Sequence, residues 1–209
     1  MAIQIYGMGP SRSFRAIWGA FEAGVDFEYV SVDFGSAEKG GTQSEAYKKL
    51  NSQGKVPALV NGDFVLTESA AILNYLANLS SNKTLLPKDG TEQRASYDEM
   101  CFFVLSELEQ ALWTKGKHSF ALPEQFRLPE IIDKTTAFEF KKAHDALLIL
   151  KGNRKFAAGN HFTMADVLLG QTIAWAHNFK FEVSPELLAY KDEMFAREAC
   201  IKAKALIKK

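Results

Sequence analysis

Val56-Pro57 opens a short apolar run, Ala58-Leu59-Val60, with Lys55 beside it, and Glu68-Ser69 follows a second apolar run. Those residue types in that order fit the capture of a small anionic peptide. An X-Pro bond is where a cis peptide is cheap, and a cis bond at the mouth of a strand turns the neighbouring N–H and C=O outward. A bound peptide can pair with such groups as an added strand. Glu68 and Ser69 open a predicted helix, whose free N–H groups can receive a carboxylate. A carboxylate and a hydroxyl in a first turn also suit any helix, so the pair gains meaning from its place directly after the hairpin. Ser11 is a third candidate, at the entrance of an earlier predicted helix, where serine is also an ordinary N-cap.

The elements that must position these residues are legible from periodicity. Ala2 to Tyr6 alternates apolar and polar positions and reads as a strand. Arg12 to Ala23 carries Phe14, Ile17, Trp18 and Phe21 on one helix face, with Gly24 as a stop. Phe27 to Val32 reads as a second strand, so the β-α-β order predicts a parallel pair. A glycine- and charge-rich loop from Asp33 to Gln43 leads to a short helix at Ser44 to Leu50. Asn61-Gly62 predicts a type I′ hairpin turn, and a helix runs from Glu68 to about Leu79. Residues 81–90 read as a linker. Beyond it come a long amphipathic helix from Glu92 to Trp113, a loop with Pro123 and Pro129, and a helix from Glu130 to Leu150. Thr163-Met164-Ala165-Asp166 fits a reciprocal cap, with Phe162 and Val167 placed as a hydrophobic staple. The reading is therefore two domains: an α/β domain over 1–80, the linker at 81–90, and an all-helical domain over 91–209.

Composition narrows the function classes. The 209 residues are 47% hydrophobic, and Lys+Arg and Asp+Glu are equal at 25 each, so no global field favours nucleic acid or an anionic membrane. No basic segment followed by a long apolar run opens the chain, and no window has the apolar length of a membrane span. A cytoplasmic protein is expected. The cysteines, Cys101 and Cys200, have neither metal-like nor redox-like spacing and read as buried free thiols. His118, His144, His161 and His177 are scattered without ligand spacing, so no metal is expected.

Three motifs together resemble the cytosolic glutathione transferases, in particular serine-type, theta-like bacterial members. They are Ile5-Tyr6-Gly7-Met8-Gly9-Pro10-Ser11-Arg12-Ser13-Phe14-Arg15, then Gly54-Lys55-Val56-Pro57 with Glu68-Ser69, then Phe162-Thr163-Met164-Ala165-Asp166-Val167. The resemblance implies an N-terminal thioredoxin-like domain that binds glutathione and a C-terminal helical bundle that supplies an apolar pocket. It implies that glutathione, as co-substrate, attacks a small apolar electrophile in a detoxification reaction, and that the protein forms a homodimer. Ser11 matches the catalytic serine of the pattern Ser-x-x-x-Arg, completed by Arg15, as hydrogen-bond donor to the thiolate. Tyr6 matches the position used by tyrosine-type relatives, and Ser13 is a weaker candidate. Val56 matches the residue whose backbone pairs with the cysteinyl part, with Pro57 as the cis-proline. Glu68 matches the partner of the γ-glutamyl ammonium, and Ser69 that of the γ-glutamyl carboxylate. Lys55 can approach the glycyl carboxylate, as can Gln53 and Gln43, while Asn51-Ser52-Gln53 departs from the usual Asn-Pro-x at that rim. Met8, Met100, Phe103, Trp113 and the Phe120-Ala121-Leu122 loop are candidate walls for the electrophile pocket.

The chemistry explains the need for such a donor. A thiol with a pKa of about 8.5 is mostly protonated at neutral pH. A hydroxyl donated to sulfur, with the positive end of a helix, can lower that by about one to two pKa units. No CxxC follows the first strand, which argues against a protein dithiol mechanism. Glutathione-dependent peroxide or disulfide reduction uses the same thiolate and remains an alternative, as does a non-catalytic binding module on this fold.

Overall fold

The computed structural model describes residues 2–208, apart from the side chain of Asp133. It divides into two compact units, the first running to Leu86 and resuming at Met194, the second covering residues 87–193. In chain order the first unit contains β1 (Ile3–Gly7), α1 (Ser13–Ala23), β2 (Phe27–Ser31), α2 (Glu45–Lys48), β3 (Ala58–Asn61), β4 (Phe64–Thr67) and α3 (Ser69–Leu79). The sheet order is β2-β1-β3-β4. β1 runs parallel to β2, as the β-α-β reading requires, and antiparallel to β3, which forms a hairpin with β4. This is the thioredoxin-like arrangement. Ile3 and Ile5 are buried on one side of β1, whereas Tyr6, two positions from Gln4 on the other side, packs edge-on against Tyr47 of α2.

The hairpin turn differs from the expected one. Asn61 pairs with Phe64, so the two-residue loop is Gly62-Asp63, and of these Gly62 takes the left-handed conformation at φ +62°. Asn61 stays in the ladder because its side-chain amide donates to the Tyr75 hydroxyl at 2.9 Å. That tie holds it one residue short of the type I′ position.

The second unit is helical: α4 (Glu92–Phe103), α5 (Glu109–Gly116), α6 (Glu130–Lys151), α7 (Met164–Asn178) and α8 (Pro185–Phe195), which ends two residues past its boundary. The expected helix from Glu92 to Trp113 is interrupted by a π-helical turn at Val104–Leu108, and a second lies at Lys117–Ala121. Each adds a residue to a turn and re-phases the face that follows, so Tyr97, Met100, Val104, Leu108 and Leu112 all reach the core. At the start of α7 the Thr163 N–H donates to Asp166 Oδ2 at 2.8 Å. Asp166 Oδ1 accepts from the Ala157 N–H and the Tyr190 hydroxyl, each at 2.7 Å. The motif is a structural knot, which fits the capping role read from its residues.

The C-terminal helix α9 (Glu198–Leu206) belongs to the first unit, a division different from the expected 91–209. Phe195 packs edge-on against Trp18 at 5.5 Å between ring centroids. Arg197 grips Glu22 with two bonds of 2.6 and 2.8 Å, and Glu22 also accepts from the Trp18 indole N–H. No local pattern announces such a return, since it depends on side chains 175 positions apart. The other boundary falls between Leu86 and Pro87, inside the expected linker. Among the described residues no helix is long and apolar enough to cross a membrane.

Candidate active site

Sheet register brings the candidate residues to one end of the first unit. Tyr6 lies opposite Ala58, and Ala58 opposite Thr67. The next positions out are Gly7, Pro57 and Glu68, with Ser11 just beyond Gly7 and Ser69 just beyond Glu68. Three adjacent strands span about 10 Å at the usual interstrand spacing, close to the reach of an extended tripeptide at about 3.3–3.6 Å per residue. That end is a peptide-length ledge.

Ser11 is half-buried in the turn between β1 and α1. Its N–H donates to the Met8 carbonyl at 3.2 Å, and its own carbonyl accepts from Phe14 at 3.0 Å. Its Oγ accepts the Ser13 N–H at 3.1 Å. The first turn of α1 carries no acidic side chain, so the positive end of the helix is not neutralised locally. Tyr6 is placed differently: its hydroxyl donates to Gln4 Oε1 at 3.2 Å, back along the strand.

The Val56-Pro57 bond is cis, as the sequence led us to expect. Val56 lies just ahead of β3, outside the ladder, and packs against a small cluster of Val32, Tyr47 and Ala58. The carbonyl of Lys55 is held twice, by the Tyr47 hydroxyl at 2.7 Å and by Asn51 Nδ2 at 2.9 Å. Burial, with the neighbouring Tyr6, pushes the Tyr47 phenol up to about 12, so it remains a donor at any physiological pH. The Lys55 ammonium is exposed and donates to Gln53 Oε1 at 2.8 Å.

Glu68 is exposed and precedes α3 with φ +66° and ψ 113°. A non-glycine residue there costs on the order of 1–3 kcal/mol, and such strain concentrates at functional positions. Ser69 is buried, and its Oγ accepts from Arg15 Nη1 at 3.2 Å. An accepting hydroxyl keeps one O–H to donate. Arg15, itself fully buried, thus ties α1 to the start of α3.

The chain matches the family Glutathione S-transferase, N-terminal domain, over residues 1–78 and the family Glutathione S-transferase, C-terminal domain, over residues 129–198. Glutathione S-transferase theta-1 of Bos taurus is 32% identical over 177 residues, 80% of this chain and 70% of that protein. The chain belongs to the glutathione S-transferase family. Its relatives also include a probable maleylacetoacetate isomerase of Caenorhabditis elegans, 30% identical over 77% of this chain and 72% of that protein. Among solved structures, a glutathione transferase from Methylococcus capsulatus superposes with a TM-score of 0.86 at 27% identity over 99% of both chains. A sphingomonad glutathione S-transferase complexed with glutathione gives 0.84 at 27% identity over 98% of both.

For a glutathione S-transferase the remaining candidates fall into two groups. Met100 is core of the helical unit, while Phe103, Trp113, Ala121 and Leu122 are half-buried and Phe120 is exposed. Met8 is half-buried next to Ser11. Cys101 and Cys200 are buried free thiols, each pushed up to about 12, chiefly by burial, and neither is a nucleophile. His118 Nδ1 accepts from the Leu128 N–H and His144 Nε2 from the Ser184 N–H, both cap-like roles. Among the described residues no cluster of His, Cys, Asp or Glu could hold a metal ion.

Sequence reasoning missed Tyr47 and Asn51 at this site. Their signal was present: they stand one helical turn apart on α2 and its exit, immediately before Gly54-Lys55-Val56-Pro57. The departure at Asn51-Ser52-Gln53 is also explained, since Asn51 Oδ1 accepts from the Gln53 N–H at 3.1 Å and so folds the rim without a proline.

Proposed function

We propose that the protein is a cytoplasmic, homodimeric glutathione transferase in which Ser11 stabilises the glutathione thiolate for attack on small apolar electrophiles. One observation supports this reading: the register that sets the end of β1, which leads into the turn carrying Ser11, beside the cis Val56-Pro57 loop and the Glu68-Ser69 start of α3. Glutathione would lie along that ledge, its cysteinyl backbone on Val56 and its γ-glutamyl group at Glu68 and Ser69. Lys55 would face the glycyl carboxylate. The sulfur would then sit by Ser11 at the unneutralised start of α1, where a hydroxyl and a helix dipole both favour a negative charge. The sphingomonad relative's complex with glutathione supports the same ligand.

Titration with glutathione, followed by calorimetry and by thiolate absorbance between about pH 5 and 9, tests the proposal. Saturable binding with a thiol pKa about one to two units below the free value is the expected result. Absence of binding would refute it. Glu68→Ala is expected to weaken glutathione about ten-fold with little change in kcat, because a charge-assisted bond to the ammonium is lost. It also removes none of the φ strain, whereas Glu68→Gly should weaken binding equally and raise the melting temperature.

The isomerase name among the relatives favours a second reading. The same thiolate can add to an activated double bond and be expelled after rotation. That reaction regenerates glutathione, whereas conjugation consumes it, so the balance of free thiol separates the two.

A further inference from the structure

Ser13, the first residue of α1, is fully buried and cannot itself meet a ligand. Its hydroxyl is nonetheless built into the site. Ser13 Oγ lies 2.9 Å from Ser11 Oγ and accepts the Met8 N–H at 3.3 Å, while its N–H donates to Ser11 Oγ. The last residue of β1 makes room for it. A Cβ on Gly7 would stand 2.5 Å from Ser13 Cβ and 2.8 Å from its Oγ. A hydroxyl present merely to start a helix needs no such clearance.

We propose that Ser13 is a positioning residue for the reaction: it orients the Ser11 hydroxyl and backs it with a second hydrogen bond when the thiolate is bound. The inference rests on the reading of Ser11 as thiolate donor. Each hydroxyl has one proton to donate and two lone pairs to accept. The Ser11 O–H donates to Ser13 Oγ. When a thiolate arrives, the Ser11 O–H turns to the sulfur. The Ser13 O–H then rotates into the vacated place and donates to Ser11 Oγ across the same 2.9 Å. Met8 N–H keeps Ser13 Oγ anchored throughout. No proton changes owner and no covalent bond breaks in the protein; the proton lost by the thiol goes to solvent. A hydroxyl that accepts such a bond becomes a stronger donor, because chained hydrogen bonds polarise one another.

A double-mutant cycle on the intact protein tests this, with Ser11→Ala, Ser13→Ala and the double variant. The readouts are the pKa of bound glutathione from thiolate absorbance, and kcat and KM with an activated aryl halide. Ser13→Ala is expected to raise the bound-thiol pKa by about half a unit to one unit and to lower kcat about three- to ten-fold. KM for glutathione should stay within about two-fold. In the Ser11→Ala background the same change should cost nothing further. An equal loss in both backgrounds would overturn the proposal while leaving Ser11 its role. An unchanged pKa and kcat in Ser11→Ala alone would instead remove the thiolate-donor reading itself, and the proposal with it. Should Ser13→Ala fold poorly, Ser13→Cys keeps the side-chain size with only a weak donor. It is expected to shift the pKa the same way, and a wild-type pKa in that variant would overturn the proposal.

Discussion

Ser11→Ala is expected to lower turnover about ten-fold or more while glutathione affinity stays within a few-fold. The magnitude follows from the thiol. At neutral pH a thiol with a pKa of about 8.5 is only a few per cent thiolate. Lowering that pKa by about two units makes the thiolate the major form, a difference worth about 2.7 kcal/mol. The helix end contributes part of that and remains in the variant, so the loss is one step and not total. Affinity changes little because the tripeptide would still hold the cis-proline loop and the start of α3 at their unchanged places. The pH profile supplies the sharper reading. In the variant the rise of rate with pH should move upward by about one unit, since the hydroxyl no longer favours the charged sulfur. An unchanged rate and profile would remove Ser11 from the mechanism. Attention would then pass to Tyr6, whose hydroxyl would first have to leave Gln4 Oε1.

The parts of this molecule that were legible in its sequence are those fixed by short-range rules. Alternation marks β1, a single apolar face marks α1, and an X-Pro bond at a strand mouth marks the cis peptide. The cap at Thr163 and Asp166 could be read because both partners lie within one turn. The family motifs pointed to Ser11, Lys55, Val56, Pro57, Glu68 and Ser69 as a proposed glutathione site; register sets the ends of β1, β3 and β4 side by side, and Ser11 follows in the turn after β1. What the sequence hid depends on distance along the chain. Arg15 and Ser69 were each singled out, yet nothing local says that they bond to each other across 54 positions. The return of α9 to α1 is of the same kind. Other misses are matters of degree: Asn61-Gly62 does contain the left-handed glycine, but a bond to Tyr75 decides which residues make the turn. The π turns in the helical stretch leave no composition signal, because one added residue does not disturb an amphipathic pattern enough to be seen.

Removing the carboxylate at the start of α7 should have the largest effect on stability. Asp166 is fully buried and accepts bonds from the Ala157 and Thr163 N–H groups and from the Thr163 and Tyr190 hydroxyls. Burial pushes its carboxyl up, and these donors oppose that rise. Asp166→Ala leaves the donors enclosed without an acceptor, and each buried unsatisfied group costs about 1–3 kcal/mol. Since the Thr163 hydroxyl can turn to another acceptor, the expected total is about 3–5 kcal/mol, a large share of the 5–15 kcal/mol that holds a typical domain folded. Asp166→Asn keeps the shape and one acceptor oxygen but turns an N–H2 toward donors, so it should lose nearly as much. Tyr190→Phe removes one donor together with its bond and should cost only about 1 kcal/mol. Urea unfolding followed by far-ultraviolet circular dichroism reads all three. The order Ala, then Asn, then Phe is the decisive outcome. A loss in Asp166→Ala no larger than in Tyr190→Phe would mean that the knot is not what holds the 163–166 turn. The residues proposed for glutathione all lie in the other unit, so the folded fraction of each variant should keep its glutathione affinity. A variant that stayed fully folded but lost glutathione would assign Asp166 to the site, and the capping role would fall with it.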